Sequence, residues 1–178
     1  MRSCIIASFI LLSVIACKNP QDIPSSVEEP AIPQNAPLHV PDGFSDQGMP
    51  EETILELINN GDHIDFMFHE LPLSMNQTEN SAIRTDMLYV SSTPIAGIPQ
   101  GCVPMARKIY LGKGEIILEA DLYFSQQCLF QVFIKDEKPL FGNLLTMEAV
   151  QFYGSLMEQA KTSMPAHLRD QYVNPLDN

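Results

Sequence analysis

The periodic signal along the chain runs from residue 50 to about residue 161. Pro50 to Gly61 reads as a short helix. It has Pro at the first turn, Glu51 and Glu52 at the positive end of the dipole, Ile54, Leu55, Leu57 and Ile58 along one side, and Gly61 as a stop. From His63 to Glu70 the period changes to two. Ile64, Phe66 and Phe68 face one way, and His63, Asp65, Met67 and His69 the other, as in a half-buried strand. Asn76 to Thr85 is polar and reads as a loop or a short helical turn, and Met87 to Ser91 as a strand. Thr93 to Pro104 carries Pro94, Pro99 and Pro104 with Gly97 and Gly101, the composition of a loop. Arg107 to Leu111, Glu115 to Phe124 and Leu129 to Lys135 read as three successive strands, the first two joined through Gly112-Lys113-Gly114. In the middle strand Ile116, Leu118, Ala120, Leu122 and Phe124 alternate with Glu115, Ile117, Glu119, Asp121 and Tyr123. Asp136-Glu137-Lys138-Pro139 reads as a turn. Thr146 is placed to cap a closing helix from Met147 to Lys161, where Met147, Val150, Tyr153, Gly154, Met157 and Ala160 recur at helical spacing.

This order predicts an α+β domain: a largely antiparallel β-sheet of about four or five strands with an N-terminal and a C-terminal helix packed on it. The domain is expected over residues 50–164, followed by a polar tail over 165–178. Residues 17–49 read differently. Seven of the chain's 14 prolines fall between residues 18 and 50, with Phe44 as the one aromatic, so the stretch is expected to be an acidic, semi-extended linker. Charge narrows the choice of partner. Lys and Arg number 10 against 22 Asp and Glu, a net of −12, which argues against binding a nucleic-acid backbone.

The N-terminus carries its own pattern. Arg2 is the only charge before Lys18, and Cys4 to Ala16 is an apolar run too short to span a bilayer but suited to a secretory signal. The segment Leu12-Ser13-Val14-Ile15-Ala16-Cys17 resembles the lipobox of bacterial lipoproteins. That resemblance implies a leader over residues 1–16, a diacylglyceryl group on the Cys17 thiol, and an acylated amino group on the same residue. It also implies a membrane partner through the N-terminal lipid and a place in the cell envelope. Lys18 stands where an Asp favours inner-membrane retention in the best-studied members, so outer-membrane sorting is implied. The alternative is an ordinary signal cut after Ala16, which Val14-Ile15-Ala16 also fits.

With Cys4 in the leader and Cys17 under the lipid, Cys102 and Cys128 remain as a pair. In an exported domain they are expected to form a disulfide; the competing readings are two free buried thiols and a nucleophilic cysteine with a histidine partner. His63 to Glu70 is the one cluster of metal-capable residues. In a strand His63 and His69 lie about 20 Å apart at about 3.3 Å per residue, too far for one ion. His63 and Asp65 share a face and can offer two ligands if others come from elsewhere; otherwise the row is a solvated strand face. No motif for a nucleophile elbow, a zinc-protease helix or a phosphate loop occurs, so no catalytic, metal or cofactor-binding residue is assigned and no cofactor is expected. The expected function is a lipid-anchored envelope lipoprotein whose domain binds a protein or envelope polymer, or serves a structural role, without catalysis. Two alternatives stay open: an envelope enzyme with a site around His63, Asp65 and His69, or a surface-presented enzyme inhibitor.

Overall fold

A computed structural model describes residues 36–71 and 73–169 together with Tyr172 and Leu176. The expected leader and the expected lipidation site, Cys17, lie outside the described residues. In chain order the elements are β1 (Leu38–His39), α1 (Glu51–Asn60), β2 (His63–Phe68), β3 (Ser74–Gln77), α2 (Asn80–Met87), β4 (Val90–Pro94), β5 (Ile98–Pro99), β6 (Ala106–Gly112), β7 (Glu115–Ser125), β8 (Cys128–Lys135), β9 (Lys138–Leu145), α3 (Met147–Ser163) and α4 (Ala166–Arg169). Seven strands form one antiparallel sheet in the order β3-β2-β6-β7-β8-β9-β4, and β1 pairs with β5 in a separate two-stranded ribbon. The α+β class and the antiparallel sheet are as expected. The strand count is higher, and α2 and α4 add to the two expected helices.

Each extra element has a physical reason. Ser74–Gln77 is polar because β3 is an edge strand whose outer side meets solvent. β9 contains Pro139, Gly142 and Asn143, residues that ordinarily argue against a strand. Pro139 is tolerated because it pairs with Ile134 where the register shifts. Gly142 is required because a side chain there would sit 2.7 Å from Ile95, whose own amide donates to the Gly142 carbonyl at 3.0 Å. The turn before β9 is shorter than the expected four residues. Asp136 and Glu137 alone make it, at φ of 50° and 62°, the left-handed pair that a two-residue hairpin needs. Residues Asn80 to Met87, expected as a loop or a short helical turn up to Thr85 and as the start of a strand at Met87, form α2, and the strand after it begins at Val90.

The strand alternation sorts the side chains onto two faces. One face carries Ile64, Phe66, Phe68, Tyr110, Leu118, Ala120, Leu122, Phe124 and Phe133. All three longer helices cover it, α1 through Leu57, α2 through Ile83 and Met87, and α3 through Ala149, Tyr153 and Met157. Thr146 caps α3, its hydroxyl accepting from the Ala149 amide at 3.3 Å. At the start of β7 the alternation slips by one residue, because the β6–β7 register shifts between Tyr110 and Leu111. Ile116, expected inward, is therefore exposed, while Ile117 packs against the core. Gln131 also points to the helical face. It is fully buried, and among the described residues its amide nitrogen and oxygen find no hydrogen-bond partner.

The other face is covered only over its β8–β9 half. There Tyr123, Phe130, Val132, Ile134 and Leu144 pack with Ile95, Cys128 and, at the margin, Phe44, Ile98 and Cys102. The cover is made of loop rather than helix. Residues 36–49, read from sequence as the end of a linker, take part in it: β1 pairs with β5, the Ser45 amide donates to the Leu140 carbonyl at 2.7 Å, and the Met49 amide donates to Asn143 Oδ1 at 2.8 Å. The tail also returns to the domain, since Gln126 Nε2 donates to the Leu176 carbonyl at 2.8 Å. Among the described residues no helix is long and apolar enough to cross a membrane.

A disulfide joins Cys102 to Cys128, with Cα atoms 5.9 Å apart, as the leftover pair implied. It ties the covering loop to the first residue of β8. Closing a loop of 26 residues stabilises by about 3.5 kcal/mol in the chain-entropy treatment. Reduction in native buffer is expected to lower the urea midpoint by the equivalent of about 2–4 kcal/mol, the range typical of such bridges. An unchanged midpoint after confirmed reduction would show that the loop is held by its packing alone.

Candidate functional site

Lys108 lies on the covered face of β6, between Phe66 of β2 and Ala120 of β7 in the sheet register. It is completely buried. An ammonium in such a place needs a counter-charge and a full set of acceptors. Asp86, near the end of α2, supplies most of them: its two oxygens accept from Lys108 Nζ at 3.0 and 2.9 Å. The Tyr153 hydroxyl of α3 accepts the third contact at 3.2 Å. Asp86 is itself shared. Tyr110 donates to its Oδ2 at 2.5 Å and Tyr153 lies 3.3 Å from its Oδ1. The ammonium stands 5.7–5.8 Å from the ring centroids of Phe66, Tyr110 and Tyr153, so aromatic faces line the rest of its surroundings.

Burial and the Asp86 charge act on every titratable neighbour. Burial lowers the Lys108 ammonium from its ordinary value, and the Asp86 charge and hydrogen bond oppose that fall. Burial, then the Asp86 charge, hold the phenols of Tyr110 and Tyr153 well above theirs, and the same two causes raise Tyr89. A cavity of about 160 Å³ opens beside the cluster, lined by Phe66, Gln77, Thr85, Asp86, Tyr89 and Phe152. The Tyr89 and Phe152 rings stack at 5.1 Å on its wall. Asp86 belongs to the lining of the cavity, and Lys108 does not. As arranged, the three protons of the ammonium are all directed to oxygen, which makes Lys108 an internal counter-ion rather than a free amine.

Sequence reasoning passed over this cluster, although a signal was present. Arg107 and Lys108 are consecutive cations in a strand, and consecutive strand residues point to opposite faces. With one face under helices, one of the two has to be buried. Arg107 takes the open face, where its guanidinium makes two bonds to Asp121, at 2.8 and 3.0 Å, and lies 3.8 Å from Glu119. The hydrogen bond that Arg107 donates to Asp121 is the main cause that raises the Arg107 value.

The expected candidates His63, Asp65 and His69 fall on the open face and at its margin. His63 and Asp65 are brought together, with Nε2 and Oδ1 3.0 Å apart. Asn76, directly opposite Asp65 in the β2–β3 register, joins them: its amide nitrogen is 2.7 Å from His63 Nε2 and 2.5 Å from Asp65 Oδ1. His69 is not part of the group. It follows the far end of β2 and is exposed, its amide donating to the Met105 carbonyl at 2.9 Å. Cys102 and Cys128 are joined to each other, so neither is a free nucleophile. A shallow apolar groove of about 380 Å³ runs between Leu73 and the end of α3, bounded by Leu156, Ala160, Met164 and Pro165.

Comparison with family models, with curated proteins and with solved structures finds no match for this chain. The reading of the site therefore rests on its own geometry.

The buried phenols give a pH dependence of definite sign. A phenol whose folded value lies above its unfolded value of 10.0 stabilises the fold fully below pH 10, and that stabilisation is lost as pH rises through the folded value. Lys108 acts oppositely: its folded value lies below 10.5, so its own contribution favours the fold as pH rises to that point. Beyond about pH 10.5 only the phenols are changing among these groups, and stability is expected to fall. In an alkaline titration followed by phenolate absorbance, Tyr110 and Tyr153 should ionise only as the far-UV spectrum collapses. Ionisation of all five tyrosines near pH 10 with that spectrum intact would contradict the burial of the cluster.

Proposed function

We propose that this chain is a lipid-anchored lipoprotein of the cell envelope, acylated at Cys17 and sorted to the outer membrane, whose α+β domain binds a protein or envelope-polymer partner without catalysis. The observation that carries the reading is the run Leu12-Ser13-Val14-Ile15-Ala16-Cys17 behind a short apolar stretch with one positive charge. More than one acyl chain on that cysteine makes attachment stable, at about 0.8 kcal/mol per buried CH₂. Leu38 already pairs with Pro99 in the β1–β5 ribbon, so the tether that precedes the domain is shorter than the proline pattern implied. From Cys17 to Ala36 a fully extended chain reaches at most about 70 Å.

A binding role is favoured over a catalytic one by the way the buried charges are used. Lys108, Asp86, Tyr110 and Tyr153 spend their donors and acceptors on each other, as a structural cluster does. His63 and His69, proposed together as the core of an enzyme site, stand at opposite ends of β2.

The test is metabolic labelling with a palmitate analogue in a host that processes lipoproteins. The wild-type chain is expected to take the label and fractionate with membranes. Cys17→Ser is expected to lose the label and to appear as unprocessed precursor or in the soluble fraction. Equal labelling of the variant would overturn the reading.

A further inference from the structure

His63, Asp65 and Asn76 form a triangle of polar atoms whose three contacts cannot all be hydrogen bonds at once. His63 Nε2 and Asp65 Oδ1 are 3.0 Å apart, Asn76 Nδ2 is 2.7 Å from the former and 2.5 Å from the latter. With Asp65 as a carboxylate, the His63–Asp65 contact requires a proton on Nε2. The Asn76–His63 contact requires a lone pair on the same atom. Turning the Asn76 amide over cures the second contact, since its oxygen then accepts from Nε2–H, but sets that oxygen against the carboxylate with no proton between them. Neither orientation of the Asn76 amide completes the network.

A cation at the centre removes the conflict. With the amide turned, the three groups present three lone pairs: one imidazole nitrogen, one carboxylate oxygen and one amide oxygen. The three donor atoms stand 2.5–3.0 Å apart, near the edge of about 3 Å that separates adjacent corners of an octahedron with bonds of about 2.1 Å. We propose that His63, Asp65 and Asn76 form a binding site for a first-row divalent metal ion on the open face of the sheet. One nitrogen and two oxygens suit Mn²⁺, Fe²⁺, Co²⁺, Ni²⁺ or Zn²⁺ better than the all-oxygen ions. The side chains of His63 and Asp65 are 26% and 38% exposed, so water has access to the remaining corners.

The fold builds this site from register. His63 and Asp65 are two apart on β2 and so share a face, and the antiparallel pairing sets Asn76 of β3 directly across from Asp65. The sequence distance from His63 to Asn76 is too long for a local motif, and an amide ligand is not among the residue types that mark metal sites, so the spacing alone does not reveal it. The proposal is independent of the lipid anchor and of the binding role proposed for the domain.

The experiment is a Mn²⁺ titration of the chelator-stripped full chain, read by paramagnetic broadening of the histidine ring protons. Of the four histidines, His39, His63, His69 and His167, the His63 signals are expected to broaden first, and His69→Ala is expected to leave their response unchanged. Asp65→Asn and Asn76→Leu are each expected to raise the Mn²⁺ concentration needed by about tenfold or more. Asn76→Asp adds a charged ligand and is expected to lower it by about tenfold. The same variant, by setting two carboxylates together, is expected to lower the melting temperature without metal and regain it with Mn²⁺. Parallel broadening of all four histidines, or an Asn76→Asp variant that needs more Mn²⁺ than wild type, would overturn the site.

Discussion

The fold depends on keeping one ammonium group in its core. Lys108 brings a positive charge to the middle of the covered face of the sheet, where the idealised cost of removing an ion from water is of order 20 kcal/mol and the effective cost is still several. Only an opposite charge at contact distance makes that position tolerable. Asp86 therefore has to be delivered there by α2, and Tyr110 and Tyr153 have to close the remaining hydrogen bonds from β6 and α3. A cluster of four side chains thus fixes the position of two helices on the sheet more narrowly than apolar packing would. Apolar packing has many near-equivalent arrangements, whereas a carboxylate accepting from an ammonium and a phenol has few.

The two faces of the sheet are stabilised in different ways. The helical face has a continuous apolar core surrounding the charge cluster. The opposite face is covered over half its width by loop segments, which offer little apolar area, and there the Cys102–Cys128 bond and the β1–β5 pair do the holding. The uncovered half, over β3, β2, β6 and β7, carries polar and charged groups that pair among themselves, Arg107 with Asp121 and His63 with Asp65. This half is the part of the sheet that neither the helices nor the loop segments cover.

Legibility in the sequence followed the strength of local signals. The α+β class, α1, β2, the three-strand meander and α3 were readable because their periods run over most of each element, the slip at Ile116 aside, and Thr146 marked the α3 cap. The Cys102–Cys128 pair followed from cysteine bookkeeping once Cys4 and Cys17 were assigned elsewhere. β9 was hidden by Pro139, Gly142 and Asn143, each of which has a tertiary justification that appears only when β8, Ile95 and Met49 are in place. β3 was hidden because an edge strand need not be apolar. Asp86 was hidden in a polar segment, and the short stretch from Arg107 to Leu111 does not by itself fix which of its residues, Lys108 among them, face the core. The true phase of β6 is set by its neighbours Phe66 and Ala120.

The most direct measurement is a double-mutant cycle on Lys108 and Asp86, with stability read from urea unfolding. Lys108→Met leaves a buried carboxylate and Asp86→Leu leaves a buried ammonium. Each single variant is expected to lose about 3–5 kcal/mol, while the Lys108→Met/Asp86→Leu double variant loses far less than their sum, giving a coupling of about 3 kcal/mol or more. Single losses below about 1 kcal/mol that simply add in the double variant would contradict the central place given to this pair.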